Sequence, residues 1–193
     1  TLGPATEDGD VLRSLLEAGV SVFRVNLACL NRESLMKAVY AIRSISTELQ
    51  RPVALLLDMQ LSPGRGADSP AITESEWADI RFGLEAGVDW MAISAGRDGD
   101  TVRQLRQFFF FFKRTNIGIL ARVKNPSALV ALDPIIQEAD GIILGGMNPA
   151  SEGSGAEISR IVLQCLSTRK LVVMAAGLNS DVTSTLSVFP DAW

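Results

Sequence analysis

Phe82-Gly83-Leu84-Glu85-Ala86-Gly87-Val88-Asp89 ends a helix and opens a strand within eight residues. Glycine tolerates the left-handed conformation at a helix terminus, so the chain can leave the helix and enter an extended run at once. Glu17-Ala18-Gly19-Val20 repeats the joint upstream, and Glu138-Ala139-Asp140-Gly141 is a variant of it downstream. Apolar runs rich in branched residues follow or flank these joints. They predict strands at Val20–Leu27, Pro52–Asp58, Asp89–Ala95, Ile117–Val123, Asp140–Leu144 and Leu171–Ala176. Between them, Val11–Ala18 carries Leu12, Leu15 and Leu16 on one side, and Ser34–Leu49 places Leu35, Val39, Ile42, Ile45 and Leu49 at helical spacing. Thr73 and Glu76 form a capping box ahead of Trp77, Ile80 and Leu84. Strands without polar alternation, joined by helices, mean βαβ units and a parallel α/β architecture. Strand spacings of roughly 25–35 residues suit either a (β/α)8 barrel or a doubly wound sheet.

Composition narrows the function. The 193 residues are 47% hydrophobic and 21% charged, with a net charge of −4 and no basic block, which points away from nucleic acid and anionic membranes. No apolar run approaches the roughly 18–20 residues of a membrane span. Histidine is absent, which removes histidine triads, most zinc sites and the commonest general base. Cys29 and Cys165 have no metal-type spacing and read as reduced thiols. Thr1 starts no visible signal peptide, and a removed leader stays open.

Thr1-Leu2-Gly3-Pro4-Ala5-Thr6 resembles the end of the first barrel strand of pyruvate kinases, Phe23-Arg24-Val25-Asn26-Leu27 the second, and Leu55-Leu56-Leu57-Asp58-Met59-Gln60 the third. Ile72-Thr73-Glu74 and Phe82–Asp89 resemble the approach to the fourth. Ala121-Arg122-Val123-Lys124-Asn125-Pro126, Ala139-Asp140-Gly141-Ile142 and Val172–Ala176 stand at the fifth, sixth and seventh. The likeness covers nearly the whole chain in order. It implies a (β/α)8 TIM barrel of pyruvate kinase type, incomplete here, with the eighth strand missing and residues 1–193 forming a single barrel domain. The family's lid domain is expected after the third strand, where residues 61–70 leave only a short loop. Its carboxyl-terminal domain is absent from the chain. As written, the first and seventh strands are left as open edges.

The resemblance also implies a degraded active site. The family's divalent metal is held by a glutamate after the fifth strand and an aspartate after the sixth; Lys124 and Asn148 stand there. Hard cations want oxygen ligands, preferably anionic, and a lysine opposes the cation. The catalytic lysine appears as Arg122, and the threonine associated with proton delivery as Ala176. Of the monovalent-cation ligands Asn26 and Asp58 survive, while Ala28 and Met59 replace a serine and a threonine, and Gly146-Met147 replaces an arginine–glycine pair. Arg24, Arg65, Ser94 and Arg97 match the family. Two readings compete. Arg24, Arg65 and Arg122 converge on a phosphate, or Arg24 and Asp58 pair at the barrel mouth because buried charges are kept when paired.

Phe108, Phe109, Phe110, Phe111 and Phe112 are consecutive, ahead of Lys113-Arg114. At about 100° per residue five helical positions go round the whole axis, so at least two rings must leave the core. They form a contact surface, or an irregular helix end with rings folded back. Gly145-Gly146 and Ser151-Glu152-Gly153-Ser154-Gly155 lack P-loop spacing and read as flexible loops, with Glu152 and Glu157 as solvated charges.

These readings combine into a catalytically inactive pyruvate kinase-like barrel acting as a structural or interaction subunit inside a cell, in the cytoplasm or an organelle. Its expected partners are other protein subunits or further residues of the same chain; nucleic acid and a membrane span are not expected. No cofactor is expected. The alternatives are a divergent or fragmentary pyruvate kinase using magnesium and potassium, and a sensor of a phosphorylated metabolite.

Overall fold

The computed structural model describes residues 1–3, 6, 8–27, 31–59, 72–94, 99–123, 132–145, 154–176 and 185–188. The chain divides into two compact units, Thr1–Met59 with Thr73–Met91, and Gln60–Ile72 with Ala92–Trp193.

The first unit contains α1 (Gly9–Glu17), β1 (Val22–Val25), α2 (Arg32–Glu48), β2 (Ala54–Asp58) and α3 (Glu74–Ala86). Each helix starts on a side-chain cap. Asp8 accepts from the Asp10 amide at 2.8 Å and Asn31 from the Ser34 amide at 2.8 Å. Thr73 and Glu76 close the capping box anticipated from sequence. These acceptors satisfy amides that the first helical turn leaves unpaired. β1 and β2 pair in parallel from Val22↔Ala54 to Val25↔Leu57. Leu12 and Leu16 of α1, Leu35 and Ile42 of α2, Leu55 and Leu57 of β2 and Ile80 of α3 are buried. Each such side chain contributes about 1.5–3 kcal/mol by leaving water.

β3 (Trp90–Ser94) begins in the first unit and ends in the second. The second unit continues with α4 (Asp100–Phe111), β4 (Gly118–Val123), α5 (Leu132–Glu138), β5 (Gly141–Gly145), α6 (Ser154–Ser167), β6 (Leu171–Ala176) and β7 (Thr185–Val188). β4, β5 and β6 are parallel neighbours in chain order, joined through α5 and α6. All five residues of β5 are buried, as expected of a parallel strand covered on both faces. No described helix is long and apolar enough to cross a membrane.

The six strands read from sequence are all present, with boundaries within about two residues, the usual spread of such assignments. Two expectations change. Residues 154 and 155, read as part of a loop, open α6. The seventh family strand, β6, is not an open edge: β7 runs antiparallel beside it from Ala176↔Thr185 to Val173↔Val188 and takes up its outer hydrogen-bonding groups. On β1, the Arg24 carbonyl accepts from the Leu2 amide at 2.7 Å.

A repeated clamp secures the strand beginnings. Just before β3, Asp89 accepts the Leu55 amide at 2.7 Å and donates its own amide to the Leu55 carbonyl at 3.0 Å. Just before β5, Asp140 does the same to Ile119, at 2.7 and 2.9 Å. An arginine from a preceding helix holds each carboxylate at 2.7 Å, Arg43 of α2 for Asp89 and Arg106 of α4 for Asp140. Those ion pairs are half-exposed and add little by themselves. The same guanidinium groups also cap helix ends, accepted by the Gly87 carbonyl for Arg43 and the Glu138 carbonyl for Arg106.

Candidate functional site

In a β/α fold of parallel strands, chemistry gathers where the strands end. In the first unit β1 and β2 deliver Arg24, Asn26 and Asp58 there. Register explains how the two charges meet. Arg24 lies beside Leu56, and Asp58, two residues further along β2, projects from the same face. Arg24 Nε donates to Asp58 Oδ2 at 2.7 Å, and Nη2 stands 2.5 Å from the same oxygen. The Asp58 side chain is 0% exposed and that of Arg24 19% exposed. Arg24 Nη1 also donates to Thr1 Oγ1 at 3.3 Å. Asn26 is buried close by in sequence, and Met59 presents a buried thioether after Asp58. The pairing reading of Arg24 and Asp58 is the arrangement observed, and a large part of the guanidinium's charge is spent on a buried carboxylate.

In the second unit Arg122 is buried on β4, beside Ile143 of β5. Ala176 ends β6. Arg65, Arg97, Lys124, Asn148, Ala28, Gly146, Met147 and Glu152 lie outside the described residues, as does the 61–70 loop. Among the described residues no three Cys, Asp or Glu side chains cluster so as to hold a metal ion. Cys165 is buried in α6, and burial pushes its thiol up to about 11, against the weaker opposing pull of Lys170. A buried thiol raised in this way stays protonated near neutral pH and is a poor nucleophile.

The phenylalanine run is regular helix through Phe111, with Phe112 as the C-cap. Phe109 enters the core at 2% exposure, whereas Phe110 and Phe111 stand 75% and 78% exposed. Phe112 is exposed too, resting against Phe108 at 4.6 Å and edge-on to Phe111 at 5.3 Å between ring centres. The rings do not all fold back. Arg106, Gln107, Phe109, Phe110 and Thr115 line an open cavity of about 330 Å³ beside them. The sequence held the rings but gave no signal for the cavity, which depends on where Thr115 returns after the helix.

Comparison with known proteins adds the family. Residues 61–180 match the model for the pyruvate kinase barrel domain. The chain is 25% identical to a pyruvate kinase of Methylorubrum extorquens, covering 95% of this chain and 57% of that protein. It is 30% identical to the chloroplastic pyruvate kinase isozyme A of Ricinus communis over 63% of this chain and 22% of the relative. With the pyruvate kinase of Geobacillus stearothermophilus identity is 34% over 47% of this chain and 16% of the relative. The chain thus spans little more than half the length of the first of these relatives and about a fifth of the others. The alignment to the first runs over 282 positions, more than the chain has residues, so that relative carries residues without counterpart here.

Proposed function

The chain belongs to the pyruvate kinase family through its barrel domain, and from this we propose that it is a non-catalytic member serving as a structural or interaction component of a larger assembly. One observation carries the proposal. By the resemblance, the family's two anionic metal-ligand positions fall at Lys124 and Asn148, neither of which is a carboxylate. Phosphoryl transfer involves little covalent work by the protein and depends on positioning and on neutralising charge, with bound cations as the main agents. A lysine ammonium at a ligand position repels the cation, and an amide oxygen alone is a weak substitute for a carboxylate. Arg122 in place of a lysine and Ala176 in place of a threonine remove the proton-handling groups as well. The Arg24–Asp58 pair supports a structural role for residues that remain. The three exposed rings at the end of α4 supply an interaction surface.

Divalent-ion binding tests this reading. Manganese titration followed by electron paramagnetic resonance is expected to show no site tighter than about millimolar, and Lys124→Glu with Asn148→Asp should tighten binding about tenfold or more. Manganese bound by the unaltered chain as tightly as by the double variant contradicts the proposal.

A further inference from the structure

We propose that the end of α4 is a docking site for an acidic amphipathic segment of a partner protein; this rests on the reading of the chain as an interaction component. The surface has three parts. Phe110, Phe111 and Phe112 are all exposed within one helical turn, and the rings of Phe111 and Phe112 meet edge-on at 5.3 Å between centres. Next to them the cavity of about 330 Å³ has Phe109 and Phe110 in its wall, and a concave apolar seat takes a protruding side chain. Beyond the rings, Lys113 and Arg114 are exposed.

Charge selects the occupant. Arg103 and Arg106 of the same helix are held by Asp100, Glu138 and Asp140. Lys113 and Arg114 have no ion pair among the described residues. The Lys113 backbone closes the helix in the left-handed region at φ 55°, its amide donating to the Phe110 carbonyl at 3.0 Å. Two uncommitted cations beside three rings match a partner with apolar side chains on one face and carboxylates beside them. A lipid surface leaves the cavity unfilled, and the net charge of −4 opposes approach to an anionic bilayer.

Two synthetic helical peptides test the site, identical in their leucine face and carrying glutamate or lysine on the polar face. By fluorescence anisotropy the full chain is expected to bind the glutamate peptide about tenfold or more tighter than the lysine peptide, with affinity falling as salt rises. Phe110→Ser with Phe111→Ser, both solvent-facing, should weaken that binding about tenfold at unchanged helical content. Lys113→Glu with Arg114→Glu should reverse the peptide preference. Equal affinity for the two peptides overturns the proposal, as does an unreversed preference in the charge variant. Tight binding to phosphatidylserine-containing vesicles that the phenylalanine variant loses, or self-association that it loses, overturns it in favour of lipid or a second copy. Kinase turnover would remove the non-catalytic reading and leave this site standing, whereas loss of peptide preference would do the reverse.

Discussion

Arg24→Ala is expected to destabilise the chain by about 3 kcal/mol, the usual scale for leaving one partner of a buried ion pair uncompensated. The carboxylate left behind, Asp58, has a side chain with no exposure to water and loses its 2.5 and 2.7 Å contacts. For a chain of this size the loss corresponds to a melting temperature lower by about 6–12 °C. Replacing both partners by apolar residues, Arg24→Met with Asp58→Leu, should fall within about 1 kcal/mol of the unaltered chain, because neither charge then needs solvation. Chemical denaturation of the two single variants and a double variant yields the coupling energy, expected at about 2 kcal/mol. An Arg24→Ala cost below about 0.5 kcal/mol contradicts the pairing role and returns Arg24 to ligand binding.

Gly141→Ala should be nearly as damaging. Gly141 opens β5 between Leu120 of β4 and Leu171 of β6. A methyl group there meets the Leu171 carbonyl oxygen, the Leu171 Cβ at 2.7 Å and a Leu120 methyl at 2.9 Å. The carbonyl belongs to the backbone of the neighbouring strand and cannot step aside as a flexible side chain could. Parting the strands strains pairings on both sides, and overpacking of this kind costs about 1–3 kcal/mol, the upper end applying here. Gly9→Ala is the control, since a methyl group at Gly9 meets nothing within 4 Å. It should change stability by no more than about 0.5 kcal/mol in urea denaturation. Equal midpoints for the two variants contradict the close approach at Gly141.

The parallel strands were legible because their signals are local. Continuous apolar runs follow helix stops, and the glycines at those stops sit in the left-handed region, at φ 96° for Gly19 and 73° for Gly87. Other helix stops carry no glycine, because polar residues adopt the same conformation there, Gln50 after α2, Lys113 after α4 and Arg169 after α6. Only glycine advertises that geometry in a sequence. β7 alternates polar and apolar over only four residues, Thr185-Leu186-Ser187-Val188, too few to mark a strand by themselves, and its place depends on β6 lying alongside. The phenylalanine run carries no periodicity, so which ring enters the core depends on the helix's orientation. Of the site, the residue types were legible but their partnerships were not. Arg24 and Asp58 are 34 residues apart and meet only through strand register. The aspartates of the strand clamps stood in the hinge motifs, yet their function needs the preceding strand and a helix arginine to be in place.

Turnover of phosphoenolpyruvate and ADP by the full chain tests most directly the proposal that the chain is non-catalytic. With magnesium and potassium present and pyruvate consumed by a coupling dehydrogenase, no rate above the background without enzyme is expected. Turnover within about a thousandfold of the roughly 1–100 s⁻¹ typical of kinases contradicts it.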